Sequence, residues 1–443
     1  MTSKIVVNNI EPDAGISTVS ILGIATATKF VGDVEGGVTG NVTGNVTGNV
    51  TGSSGSCTGN AATATVASGI TTTASVNTSG IVTATAFVPS QGQLSHRNLI
   101  INGGFLVFQR TSAEGNVGAS GEGYFAPDRF RQSGTGNMRY TASKSTDVPA
   151  GYGFSNSLKY DCTTASGTVS AGHFVALEHR MEGQDVQVFC KGTAQAKQFT
   201  ISFHVKSPKT GIHVVELYDN DNDRHVSKSY TISSANTWQK ITLTFPGDTT
   251  GAFGNDNGSS LRIFFWLMAG TSYTGSTLPS AWTGFSSTAR ATGQVNVFDS
   301  TSNDFYITGI QLEVGPVATP FEHRSVGDEL RRCYRYFQRL TSSDNYQWVS
   351  LVSFYSGSEI HGFLKHFDTM RAVPTLSADT GANTFAVQRA GGAVAWSTGI
   401  IKNGGDLNMT YFYRDGVSLG TSGQCGRCLT WTAGSTITLS AEL

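Results

Sequence analysis

The chain has 443 residues, with 53 glycines, 10 prolines, 14% charged residues and a formal net charge of −1. That length leaves room for two or three domains, and the near-neutral balance, with no basic block, excludes a nucleic-acid footprint. The longest apolar run, Ile263 to Ala269, is far too short to cross a bilayer, and the stretch from Met1 to Asn9 lacks an apolar core of signal-peptide length, so the expectation is a protein made soluble in a cytoplasm, with no membrane insertion.

Residues 1–95 read as a repetitive leader. From Val38 to Gly52 a Val-Thr-Gly-Asn period places Val38, Val42, Val46 and Val50 on one face of an extended ribbon, spaced by Gly40, Gly44, Gly48 and Gly52. Gly23-Ile-Ala-Thr-Ala-Thr-Lys-Phe-Val31 returns as Gly80-Ile-Val-Thr-Ala-Thr-Ala-Phe-Val88, a self-similarity that signals a quasi-one-dimensional array. A collagen helix is excluded, because glycine recurs every fourth residue and not every third. With only Phe30 and Phe87 as aromatics, the leader cannot bury a core alone. It is either disordered or ordered by sharing its valine stripe with sister copies. Few charges and abundant Val, Ile and Thr favour the second, an elongated, intertwined β-rich shaft.

Composition changes at His96-Arg97. Phe199, Ile201, Phe203 and Val205 alternate with Thr200, Ser202, His204 and Lys206, and Ile241, Leu243 and Phe245 alternate with Lys240, Thr242 and Thr244; both are half-buried strands. Leu261 to Met268 is apolar on both faces, as a central strand would be. Turn clusters at 207–211, 219–223 and 255–258 punctuate these runs. Many short strands without helical periodicity predict an all-β protein, with a jelly-roll β-sandwich over 96–324.

Several stretches resemble a β-sandwich module common in bacteriophage tail fibres, particularly those of cyanophages. They are Asn98-Leu-Ile-Ile-Asn-Gly-Gly-Phe105, Tyr124-Phe-Ala-Pro-Asp-Arg-Phe130, Glu178-His-Arg-Met-Glu-Gly183, Phe199-Thr-Ile-Ser-Phe-His-Val-Lys-Ser207 and, most specifically, Phe305 to Arg324. Lys4 to Pro12, the Val-Thr-Gly repeats and Ile437 to Leu443 resemble other parts of the same fibres, so the likeness covers nearly the whole chain. It implies a virion structural protein: a homotrimer whose N-terminal region attaches to other phage tail or virion proteins, assembled in the host cytoplasm and located in the virion. It also implies that the sandwich, similar to carbohydrate-binding modules, recognises a host-surface glycan without chemistry.

Ser325-Val-Gly-Asp328 has the form of a capping box, and Leu330, Cys333, Tyr334 and Phe337 fall on one helical face. A linker helix is expected over 325–340, with Arg331, Arg335 and Arg339 as a basic stripe that reads as solvated or ion-paired. Residues 341–443 return to strands and predict a second, smaller β-domain.

Enzyme signatures are poor: no HExxH, P-loop or GxSxG occurs, and the protein is expected not to be an enzyme and to need no cofactor. The best hydrolase-like pair, Glu178 and Glu182, would serve the alternative of a tail-spike glycosidase; a purely structural fibre or spacer is a further alternative. Asp219, Asp221 and Asp223 suggest calcium, but Arg224 and Tyr230 stand where an EF-hand loop needs glycine and glutamate. Cys425-Gly-Arg-Cys428 is a lone CxxC without partners for zinc, and His361 with His366 matches no common zinc spacing. For sugar binding, which combines ring stacking with polar contacts, the candidates are Trp282 and Tyr273 in one loop, then Trp238 and Trp266, whose strand positions suggest core.

Overall fold

In the computed structural model the described residues are Val6, 95–110, 113–117, 121–381, 383–416 and 420–443. The repeats of the leader, and with them the expected shaft, lie outside the described residues. What is described is all-β, built from antiparallel sheets.

Residues 113–314 form two six-stranded sheets packed face to face. One sheet, the back, runs Ala113–Val117, Arg139–Ser145, Ser157–Thr164, Asp304–Val314, Phe199–Lys206 and Gln239–Phe245. The other, the front, runs Thr283–Gly284, Arg224–Ile232, Gly211–Asp219, Ser259–Ala269, Phe174–Glu182 and Phe130–Thr135. The chain changes sheet repeatedly, as the jelly-roll expectation requires. Ile201, Phe203 and Val205 meet Leu261, Ile263, Phe265 and Leu267 in one buried core. The strand Phe199–Lys206 is not half-buried as expected, however. Thr200, Ser202 and His204 on its other face are buried too, Thr200 bonding to Thr244 and the Gly315 carbonyl and the His204 ring packed against Tyr152 and Phe154.

Ser259–Ala269 also confirms the two-faced reading of the central strand. Leu261, Ile263, Phe265 and Leu267 enter the sandwich core, joined by Met268 after a register shift, while Phe264 and Trp266 enter a second cluster on the outer face with Ala176, Val214 and Ala291. Residues 270–298 fold back over half of that outer face, through Tyr273, Leu278 and Ala291. The other half stays open.

The opening and closing motifs clasp each other. Asn98 Oδ1 accepts the N–H groups of Ile100 (2.9 Å) and Leu312 (3.2 Å), while Asn98 donates to the Ile310 carbonyl. Glu322 accepts the N–H groups of Arg97 and Asn98. Gly103 is required there, because a Cβ would sit 2.1 Å from the Ile310 carbonyl oxygen.

Ser325 caps the helix as expected, its hydroxyl accepting the Asp328 N–H at 3.1 Å. The helix is shorter than predicted, Val326–Tyr334, and Phe337–Thr341 is a strand paired with Thr436–Ser440. The N–H of Tyr336 bonds to the Cys333 carbonyl in a tight turn, which lets Phe337 leave the helical face and Tyr336 pack under Arg129, 3.4 Å from guanidinium to ring centroid. Tertiary packing overrides the helical period there.

The C-terminal strands form a three-stranded sheet and a seven-stranded one. One face of the latter carries Val352, Phe354, Ile360, Leu364 and Phe412 into a core of its own. Charged contacts tie this region to the sandwich: Arg335 grips Glu182 with two bonds of 2.7 Å, and Arg110 and Arg129 both bond to Glu442.

Candidate functional site

The open half of the front sheet is a groove of about 320 Å³. Strand register lays its floor in rows. Arg180 lies directly opposite Arg262, which lies opposite Tyr218. The next row runs Arg131, Glu178, Phe264 and Glu216. Phe174 closes one end, and Phe285 and Arg290, from the loop that follows the short helix Thr271–Thr274, form a side wall. Phe285 is 38% exposed and meets Tyr218 edge to face at 5.3 Å. Arg290 is held over Phe264 and Trp266 at 4.9 Å and bonds to buried Glu216 at 2.9 Å.

Glu178 is the hub. Its carboxylate accepts from Ser133 (2.7 Å), Arg131 (3.0 Å) and Arg180 Nε (2.7 Å). Burial alone would raise its pKa, but the hydrogen bonds and charge of Arg180, aided by Ser133 and Arg131, hold it below the usual carboxylate range. A carboxyl so held is a poor proton donor. Glu182 is likewise held low against burial by Arg335. The two lie four residues apart on one strand, about 13 Å between Cα positions at the usual rise per residue, and each carboxylate is held by arginine.

The residues singled out for sugar stacking are dispersed. Trp266 is fully buried and Tyr273 half-buried, their rings 5.4 Å apart beneath the loop that borders the groove. Trp282 is 8% exposed in the sandwich core, its ring 6.3 Å from that of Phe199 and its Nε1–H donating to the Pro246 carbonyl at 3.0 Å. Trp238 is half-buried on the back sheet, donating to Asp147 at 2.9 Å. None of the four lines the groove. Of its own aromatics, Tyr218, Phe264 and Phe174 lie in strands, where phenylalanine and tyrosine read as core, and Phe285 follows the two-residue strand Thr283–Gly284 in a loop with no pattern to mark it. The available signal was the outward-facing register of Glu178, Arg180 and Arg262 on strands otherwise rich in apolar residues.

The aspartate cluster is already supplied with a cation. The buried ammonium of Lys191 lies 2.6 Å from Asp219 and 3.1 Å from Asp248, and donates to the carbonyls of Thr250 (2.8 Å) and Gly251 (2.7 Å). Asp219 also caps the turn by accepting the N–H groups of Asp221 and Asn222. Asp223 accepts from the Tyr218 hydroxyl and Asp221 from the Gly254 N–H. Among the described residues no group of three His, Cys, Asp or Glu is arranged to hold a metal ion. Cys425 and Cys428, an odd number of residues apart on one strand, point to opposite faces, one exposed and one buried. His366 bonds to the Leu407 carbonyl and Thr410, and His361 to Glu359.

The class defined by this architecture is an all-β protein with a jelly-roll-like sandwich and an open, arginine- and aromatic-lined groove on one sheet. No protein-family model matches the chain, and no curated protein does. Among solved structures it is similar to the enzymatically active domain of tailspike protein 4 of bacteriophage CBA120, at 14% identity and a TM-score of 0.26, over 49% of this chain and 21% of that one. It is also similar to a family 11 carbohydrate-binding module from Clostridium thermocellum in complex with a β-1,3-1,4-mixed-linked tetrasaccharide, at 12% identity and a TM-score of 0.24, over 47% of this chain and 99% of the module. A third is the module TmCBM61 in complex with β-1,4-galactotriose, at 8% identity and a TM-score of 0.25, over 49% of this chain and 99% of that one. The chain thus spans about a fifth of the phage tailspike domain and nearly all of each of these two modules.

Proposed function

We propose that this chain is a phage tail fibre or related virion appendage whose sandwich holds a host-surface glycan non-covalently in the front-sheet groove. The observation that carries the reading is the groove's composition. Tyr218 and Phe285 offer ring faces and edges of the kind sugar rings pack against, and guanidinium groups of Arg131, Arg180 and Arg262 stand beside them as hydrogen-bond donors to hydroxyls. Such sites need no covalent step, and the two carboxylates nearest the floor are engaged by arginines.

Association between copies draws support from the valine stripe of the leader and from the seven-stranded sheet, and the number three follows from the resemblance to tail fibres. The outer face of that sheet exposes Leu351, Tyr355, Phe363 and Tyr411, with Phe363 directly opposite Tyr411. An exposed apolar face of this kind suits packing between copies. Three sites on one appendage would raise avidity without new contacts.

The test is binding of the purified full chain to host surface polysaccharide, before and after Phe285→Ala and Tyr218→Ala. Each substitution deletes one stacking ring and is expected to weaken retention by about 0.5–1.5 kcal/mol, the order seen for aromatic pairs. Retention unchanged in both variants would rule the groove out.

A further inference from the structure

We infer that the groove is built for an acidic saccharide, one carrying a carboxylate or sulfate that docks on Arg262 beside Arg180, whose own guanidinium is taken up by Glu178 and the Leu443 oxygen. This rests on the glycan-binding reading above and names the ligand class for it.

The argument begins with a cost. Directly opposed residues on neighbouring strands have their Cβ atoms about 5 Å apart, and like charges so placed are destabilising. Arg180 and Arg262 are such a pair. The carboxylate beside them, Glu178, neutralises Arg180 and leaves Arg262 at the margin of its reach. It accepts from Ser133, Arg131 and both Nε and Nη2 of Arg180, and its nearest approach to Arg262 is 4.0 Å. Among the described residues the Arg262 Nε–H is buried and has no hydrogen-bond acceptor. Glu216 takes no part in the relief, being committed to Arg290, and Glu122 is paired with Arg131. The floor and walls therefore set four guanidinium groups against three carboxylates, in a chain whose net charge is −1.

A strand position that faces outward has cheap neutral alternatives. An arginine kept there, opposite another arginine, about a quarter exposed and no nearer than 4.0 Å to a carboxylate, is poorly explained by stability. It is well explained by an anion that arrives with the ligand. A planar carboxylate or a sulfate matches the guanidinium fork with two parallel bonds, and Tyr218, whose ring centroid lies 5.9 Å from the Arg262 guanidinium, would carry the sugar ring beside it.

The experiment uses the full chain and two matched pairs of immobilised probes on one array: a galacturonic-acid trisaccharide beside its neutral methyl ester, and a sulfated galactan oligosaccharide beside its desulfated form. At least one acidic probe is expected to bind about tenfold or more tighter than its neutral counterpart, to lose that advantage in Arg262→Gln, and to weaken as salt is raised. The acid-versus-sulfate arms identify which anion is taken. Arg262→Gln is further expected to melt no lower than the parent, since it removes a like-charge opposition, so a loss of binding cannot be put down to unfolding. Arg262→Lys, which keeps the charge and loses the fork, should fall between the two. Neutral probes bound as tightly as acidic ones, with sensitivity to Phe285→Ala, would overturn the acidic class and leave the groove standing. An acidic preference that survives Arg262→Gln would overturn the assignment to this arginine pair. No binding by any probe, together with no retention on host polysaccharide, would remove both readings.

Discussion

At the scale of single residues, buried charge sets the most measurable property of the molecule. Asp128 is enclosed beneath Arg110, and burial, only partly countered by Arg110 and the Gln109 N–H, raises its carboxyl from an ordinary value of 3.8 to about 6. The folded protein thus holds a proton that the unfolded chain has released between those values. Stability owed to the neutral form is complete below about pH 4 and is lost as pH rises through about 6, to an extent of ~2–3 kcal/mol. Glu178 and Glu182 act in the opposite sense, but their low folded values confine their effect to more acid solution. Burial holds His179, His204 and His213 below the usual imidazole range, the last two at about 4, so stability gains with pH through these groups in the same window. Urea melts at pH 5 and pH 7 should therefore show the parent gaining less, or losing more, stability with pH than Asp128→Asn; equal changes in the two proteins would refute the assignment. Little of this could be read in advance. Asp128 sat inside a recognisable motif, Tyr124 to Phe130, but a motif does not say which of its charges is enclosed. Lys191 was invisible for a similar reason: its oxygen partners come from two separate turns, at Asp219 and at 248–251.

Among strands and helices, legibility followed period. Two-residue alternation marked Phe199–Lys206 and Gln239–Phe245, and the doubly apolar Ser259–Ala269 announced a second covered face. The helix start was legible through Ser325, whereas its end was not, because Tyr336 and Phe337 obey packing against Arg129 and Arg110 and not the helical repeat. The groove escaped notice because it depends on cross-strand register, and register is a property of pairs of strands far apart in the chain. The same register gives the seven-stranded sheet its exposed row. If copies meet there, Leu351→Lys combined with Phe363→Lys should shift the full-length protein toward smaller species in sedimentation at micromolar concentration. An unaltered distribution would show that this face is not where copies join.

For the described molecule as a whole, the sandwich and the C-terminal strands share buried charge as well as surface. The guanidinium of Arg129 is about 1% exposed, stacked on Tyr336, donating to the Arg180 carbonyl and paired with Glu442. Removing one member of such a pair leaves a charge buried without relief, at a cost of roughly 3–5 kcal/mol. Glu442→Gln is therefore expected to lower the melting temperature clearly, and calorimetry of the parent should show residues 96–443 melting in one transition. Separate transitions for the two regions would contradict the coupling. Because Arg180 also donates to the Leu443 backbone oxygen, the groove floor and the last strands brace each other. The ammonium that Lys191 places among Asp219, Asp248 and two carbonyls has a practical consequence. This corner of the sandwich brings its own positive charge, covalently attached, so chelators such as EDTA should leave its folding untouched. If adhesion by this protein proves to need calcium, the requirement would not arise from the Asp219 turn.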